Sequence, residues 1–209
     1  MQILVATGNK HKLMEIRHIL RGYAVEGRGT KVRENGRIFE ENAVKKAKSI
    51  RLQPGQIAIA DDSGLMVDCL GGKPGVRSAR FASPPTVANL CGKLLRVMRW
   101  SQANRKASFV CVIAIVYPSG KIKTVKGVCH GRIIHEMRGE HGFGYDPVFV
   151  PTGYKKTFAE MLPSTKNRLS HRGQALKKLK RLLATEIKKC ARQESNLLPT
   201  ASKAVALSR

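Results

Sequence analysis

The chain opens on a short aliphatic block, Ile3-Leu4-Val5-Ala6, followed by the polar turn Thr7-Gly8-Asn9. Leu13, Ile16, Ile19 and Leu20 then recur at helical spacing. This predicts a strand over 2–6 and an amphipathic helix over 10–21. Residues 27–38 carry four basic side chains among Gly27, Gly29 and Gly36 and read as a loop. A second helix is predicted over 39–52, stopped by Pro54-Gly55. The run Ile57-Ala58-Ile59-Ala60 predicts a buried strand that delivers Asp61-Asp62-Ser63-Gly64 to a turn at a sheet edge. Residues 70–75 are turn material. Val87, Leu90, Leu94, Leu95 and Met98 share one face of a helix expected over 86–100. Two β-rich runs, 107–117 and 121–129, flank the hairpin signal Pro118-Ser119-Gly120. Residues 140–153 read as loop. A last helix is predicted over 170–189, capped by Ser170, with Leu176, Leu179, Leu183 and Ile187 inward. Residues 190–209 lose the pattern, contain Pro199, and are expected to form a disordered or weakly held tail. Strand–helix alternation followed by a hairpin implies an α/β fold with a mixed sheet, in a domain spanning 1–189.

Composition narrows this picture. A length of 209 residues with 42% hydrophobic content suits one domain, or one with two lobes, and 5% aromatics imply an aliphatic core. No apolar run reaches the ~18–20 residues a membrane-spanning helix needs. No basic segment precedes the first apolar block, so a cytoplasmic protein without a membrane partner is expected. Cys69, Cys91, Cys111, Cys129 and Cys190 are odd in number, widely spaced and form no C-x-x-C, which favours free thiols over disulfides or zinc. The formal charge of +25 suits an anionic partner, either a polyanion such as nucleic acid or a small anionic substrate. Basic residues form no run of five and are not interleaved with aromatics, so a dedicated nucleic-acid surface is not expected.

Only four aspartates occur, and two are adjacent, Asp61-Asp62, on this cationic chain. They could hold a divalent metal and an activated water, or merely cap a strand end. Glu34, in the basic loop, could complete an oxygen set for Mg²⁺, which takes one or two carboxylates plus waters and substrate phosphates. Glu40 and Glu41 are explained by a helix dipole. The Thr7-Gly8-Asn9-Lys10-His11-Lys12 turn joins a strand to a helix N-terminus, where backbone N–H groups favour an anion, although an ordinary capped turn has the same composition. Gly142-Phe143-Gly144-Tyr145-Asp146-Pro147 sets two aromatics and a carboxylate among small residues, either a base-stacking loop or a packed turn. Lys166 and Ser170-His171-Arg172-Gly173 lie at the start of the last helix.

Taken in order, Thr7-Gly8-Asn9-x-x-Lys12, Phe39-x-Glu41-Asn42-Ala43, Ala60-Asp61-Asp62-Ser63-Gly64-Leu65, Leu70-Gly71-Gly72-x-Pro74-Gly75-Val76-x-Ser78-Ala79-Arg80, Gly142 to Pro147 and Ser170-His171-Arg172-Gly173-x-Ala175-Leu176 resemble the inosine/xanthosine triphosphate pyrophosphatase family. The resemblance covers roughly residues 1–189. It implies a two-lobed α/β fold with a long mixed sheet flanked by helices, usually as a homodimer. It also implies Mg²⁺-dependent cleavage of ITP, dITP and XTP to the monophosphate and pyrophosphate. Carried over by motif, Thr7, Gly8, Asn9, Lys10, His11 and Lys12 would hold the triphosphate. Glu34 and Asp62 would serve the metal, Asp62 would be the general base, and Ser63 would touch substrate. Phe143, Gly144, Tyr145, Asp146, Lys166, His171 and Arg172 would form the base and sugar pocket. The chain departs from the family at Asn35, Ile38 and Ser83-Pro84-Pro85, and in its charge.

Overall fold

The computed structural model describes residues 1–99 and 104–197, with side chains described through Lys188. Strand β1 (Gln2–Ala6) leads into helix α1 (Lys10–Ile19), then β2 (Ala24–Arg28), α2 (Phe39–Lys48) and the long β3 (Gln56–Val67). Helix α3 (Val87–Val97) precedes the hairpin β4 (Lys106–Val116) and β5 (Ile122–Ile133), whose turn is closed by the Gly120 N–H on the Tyr117 carbonyl. The short β6 (Phe149–Pro151), α4 (Pro163–Leu169) and α5 (His171–Leu197) are the last elements of the described residues.

One sheet carries all six strands in the order β2-β1-β3-β4-β5-β6. β1 runs parallel to β2 and β3, and the remaining pairs are antiparallel, so the sheet is mixed as expected. Odd-numbered residues of β3 face α1 and α5: Ile57 and Ile59 pack with Ile16, Leu20, Leu176, Leu179 and Leu183. Even-numbered residues face α2: Ala58 and Ala60 pack with Phe39, Ala43 and Ala47. Farther along, Leu65, Val67 and Phe109 join α3, Phe149 and Phe158 in a second lobe core.

Three expectations change. β3 does not stop at Ala60 but continues through Asp61 and Asp62 to Val67, each residue paired with β4. The acids interrupt the apolar run without ending the strand, because β4 supplies the backbone hydrogen bonds whatever the side chain. β6 and the last two residues of β2 were read as loop: both strands lie at the sheet edges, β2 is mixed in polarity and β6 is only three residues long, so neither offers a long apolar run. Helix α5 continues past residue 189 to Leu197, and residues 198–209 of the expected tail lie outside the described residues. Cys69, Cys91, Cys111 and Cys129 are free thiols.

β1 is also what opens the site. It pairs with β3 only as far as Val5 and Ile59. Beyond that point, among the described residues, no strand pairs with the β3 edge carrying Asp61 to Ser63 on that side. Helices α1 and α2 leave the parallel strands on opposite faces, so this edge lies at a topological switch point, where α/β sheets bind ligands.

Candidate active site

The cleft at this edge has a volume of about 500 Å³ and is lined by Thr7, Gly8, Asn9 and Lys12 on one side, Glu34, Lys46, Asp62 and Ser63 below, and Phe143, Lys166, His171 and Arg172 opposite. At its first wall Asn9 caps α1: its Oδ1 accepts the Lys12 N–H at 3.2 Å, and Thr7 Oγ1 accepts the Asn9 N–H at 3.2 Å. Gly8 presents open backbone there, with no atom within 4 Å of a Cβ built on it. Free N–H groups at a helix start suit an anion. Lys10 and His11 are exposed and outside the lining, so the expected substrate-binding stretch divides into a lining part and an outward part. His11 instead stacks on the Phe143 ring, with centroids 5.5 Å apart.

The adjacent acids point to opposite faces of β3 because side chains alternate along a strand. Asp61 lies on the α1/α5 face, where Lys12 Nζ is 3.0 Å from its Oδ2. Arg172 Nε and Nη2 donate to the same oxygen at 3.3 and 3.2 Å, and Ser63 Oγ donates at 2.6 Å. Burial alone would raise this carboxyl, but Lys12 and Arg172 overturn that and hold it far below the usual carboxylate range. Asp61 is therefore a fixed anion.

Asp62 lies on the α2 face. Its Oδ2 accepts from Asn42 Nδ2 at 3.0 Å, its Oδ1 accepts from the Ser63 N–H at 3.1 Å, and Lys46 Nζ stands 3.7 Å from Oδ1. Burial, aided by the like charge of Glu34, raises this carboxyl above its ordinary value against the pull of Lys46. Lys46 Nζ also donates to Glu34 Oε2 at 3.1 Å. Glu34 and Asp62 thus already flank one positive charge with hard oxygen donors. Among the described residues no cluster of three or more His, Cys, Asp or Glu side chains could hold a metal. Two carboxylates and an incoming phosphate are nonetheless a set that a divalent cation accepts, so these residues fit one.

The far wall is a cation network. Glu15 on α1 pairs with Lys166 Nζ at 3.2 Å and with Arg172 Nη1. Burial opposes its ionisation, but the two cations keep the Glu15 carboxyl below its usual value. Lys166 Nζ donates to Asp146 Oδ2 at 2.8 Å and lies 4.5 Å above the Phe143 ring. Asp146 is raised by burial, against Lys166, and its Oδ2 also accepts the Phe143 N–H at 2.7 Å, which fixes the loop turn. Gly142 is required there: at φ +83° a Cβ would meet Asp146 Oδ2 at 2.1 Å. Tyr145, expected as a possible base stacker, is 3% exposed in the second core, and its hydroxyl donates to the Ser78 carbonyl. Phe109, Phe143 and Tyr145 all contribute to the cleft lining, and of these Phe143 is the least buried. His171 stacks on Phe109 with centroids 4.7 Å apart. Its burial, with the charges of Arg172 and Lys166, drives its pKa well below the ordinary value, so it is neutral.

Three participants were not expected from the sequence. Asn42 and Lys46 stand one helical turn apart inside the apolar stripe of Phe39, Ala43 and Ala47, and two polar residues in such a stripe are the signal that could have found them. Glu15 carries no comparable signal, because its partners lie more than 150 positions away.

The model of the Ham1 family matches residues 3–182. The chain is 47% identical over 194 residues to the dITP/XTP pyrophosphatase of Desulforamulus reducens, covering 88% of this chain and 96% of that protein. It is 42% identical over 191 residues to the dITP/XTP pyrophosphatase of Bacillus subtilis, covering 87% and 96%. The Staphylococcus aureus Ham1 protein superposes with a TM-score of 0.80 at 36% identity, covering 89% of this chain and 100% of that one. On the extent of these matches, the chain belongs to the Ham1 family.

Proposed function

We propose that the protein hydrolyses non-standard purine nucleoside triphosphates, ITP, dITP and XTP, to the monophosphate and pyrophosphate. One observation carries the reading: a helix N-terminus open to an anion and a carboxylate pair open to a cation face one cleft, whose far wall is aromatic and cationic. The names of the relatives support the substrate class. A nucleic-acid-binding protein without turnover is not favoured, since acids at the centre of the cleft repel phosphate unless a cation stands between them.

In this reading the triphosphate lies along Thr7 to Asn9 and Lys12, with Lys46 at its metal-facing side. Glu34 and Asp62 would hold Mg²⁺, which when bound would neutralise phosphate charge and polarise the reacting phosphorus. The general base is Asp62 rather than Asp61. Asp61 Oδ2 is already held by Lys12, Arg172 and Ser63, and the carboxyl has little basicity left. Asp62 lines the cleft, has one cation near it where Asp61 has two held close, and has gained basicity through burial. A water oxygen attacks the α-phosphorus, its proton passes to Asp62, and the bond to the α–β bridging oxygen breaks, releasing pyrophosphate. Phe143 offers its ring to the base, and Lys166, His171 and Arg172 surround it. Arg172 spends donors on Asp61, Glu15 and Ser63 and keeps one N–H to favour a 6-keto oxygen over the 6-amine of adenine. A homodimer in the cytoplasm belongs to the same proposal. Assay of pyrophosphate from ITP, dITP, XTP, ATP and GTP tests it: the first three should be turned over fastest, and equal activity on ATP, or release of orthophosphate alone, refutes it.

A further inference from the structure

Glu34 and Asp62 come from different elements, a loop and a strand, and their separation has to be set by something. The groups between them are few. Lys46 touches both but sits on a flexible stem. Asn42 is fully buried on α2 and has a planar amide with both ends used. Its Nδ2 donates to Asp62 Oδ2 at 3.0 Å, and its Oδ1 accepts the Gly36 N–H at 2.8 Å. Gly36 lies two residues from Glu34 and rests directly on α2: a Cβ there would come within 2.7 Å of Asn42 Oδ1 and 2.8 Å of Glu41 Cβ. The next N–H, of Arg37, is held by Glu41 Oε2 at 2.7 Å.

We propose that Asn42 is a positioning residue that sets the distance and orientation between the Glu34 loop and the Asp62 carboxylate. This deepens the pyrophosphatase reading and rests on it for its kinetic arm. The partners fix which way the amide lies. Asp62 can only accept and the Gly36 N–H can only donate, so the nitrogen must face Asp62 and the oxygen must face Gly36. No other short side chain does both: Asp would set a carboxylate against Asp62, Leu would leave both partners unbonded, and Ser lacks the reach. By holding Oδ2, Asn42 leaves Oδ1 to the Ser63 N–H and Lys46. Removing it would free Asp62 to rotate and release the turn that carries Glu34.

The test compares Asn42→Ala and Asn42→Gln with the wild-type protein. Three readouts are taken: kcat and KM on dITP, Mn²⁺ affinity without nucleotide by electron paramagnetic resonance, and hydrogen exchange of the Gly36 amide. For Asn42→Ala, kcat and Mn²⁺ affinity should each fall about 10- to 100-fold, as losses of groups that orient metal ligands do, with KM changed less than about threefold. Asn42→Gln, which keeps the amide, should recover part of both. In the wild-type protein the Gly36 amide should exchange slowly, and in Asn42→Ala quickly. A kcat and Mn²⁺ affinity within about twofold of wild type in Asn42→Ala would overturn the proposal, as would losses in Asn42→Ala and Asn42→Gln that track melting temperature alone. So would a Gly36 amide that exchanges in the wild type at the rate of an open loop, a reading that needs no folded variant. If the wild-type protein released no pyrophosphate, the activity would fail while metal affinity and exchange still judged Asn42.

Discussion

Asp61 and Asp62 are neighbours in the chain with opposite electrostatic fates, and substitution should separate them. Asp62→Asn keeps the shape and can keep the Asn42 contact but removes the proposed base, so kcat should fall by about 10³-fold or more with the fold intact; a rate within tenfold of wild type would refute the role. Asp61→Asn should instead unfold the protein more easily, by about 3–5 kcal/mol in denaturant titration, because it strips the counter-charge from the buried Arg172 and from Lys12. His171 gives a pH signature. Its folded pKa is depressed, so the unfolded chain takes up a proton first, and stability is lost as pH falls from about 6.5 toward the folded value, by up to about 1.4 kcal/mol per unit. His171→Phe, which can keep the stack on Phe109, should flatten that stretch of a melting-temperature-against-pH curve. At this scale the sequence was informative where a motif residue was also a contact residue, as with Asp62, Arg172 and Phe143. It was silent on Glu15, whose partners come from distant elements, and marked Asn42 only as a polar residue in an apolar stripe.

At the scale of elements, the ends of β1 and α5 place the chemistry. Most helices and both arms of the β4–β5 hairpin were legible from periodicity. The continuation of β3 was not, because two carboxylates in a strand contradict the usual composition and only pairing with β4 explains them. α5 brings His171 and Arg172 to the cleft by lying flush on β5 at Gly127, where a Cβ would stand 2.0 Å from the His171 carbonyl oxygen and 2.6 Å from the Ala175 nitrogen. Gly127→Ala should therefore lift the start of α5. The expected result is a melting temperature lower by several degrees and a dITP KM raised at least about tenfold, since overpacking against backbone costs on the order of 1–3 kcal/mol and shifts the substrate wall. A variant with wild-type KM would show that α5 is positioned by other contacts.

For the whole molecule, the charge of +25 is the property least explained by the fold. Lys12, Lys46, Lys166 and Arg172 are each paired with acids of the site, so they account for little of the excess. The remaining field should still draw in a polyanionic substrate. KM for dITP should rise severalfold between about 0.02 and 0.3 M salt while kcat stays constant, because screening shortens the reach of the field to under about 10 Å. A salt-independent KM would remove electrostatic attraction from the account. The mixed sheet was readable as a class from the order of blocks, and the two lobes from the family resemblance. The site's place at the β1–β3 switch was not, since it depends on where β1 stops pairing with β3.

The pleat of β3 has one more consequence. In the proposed function the Asp62 face serves metal and water, while the Asp61 face serves the base through Arg172 and the triphosphate through Lys12, so the strand keeps the base wall apart from the reacting acid. Substrate range could then drift, or be re-engineered, through Glu15, Lys166 and the start of α5 without retuning the acid that drives hydrolysis. Two jobs that share one dipeptide are thereby free to evolve apart.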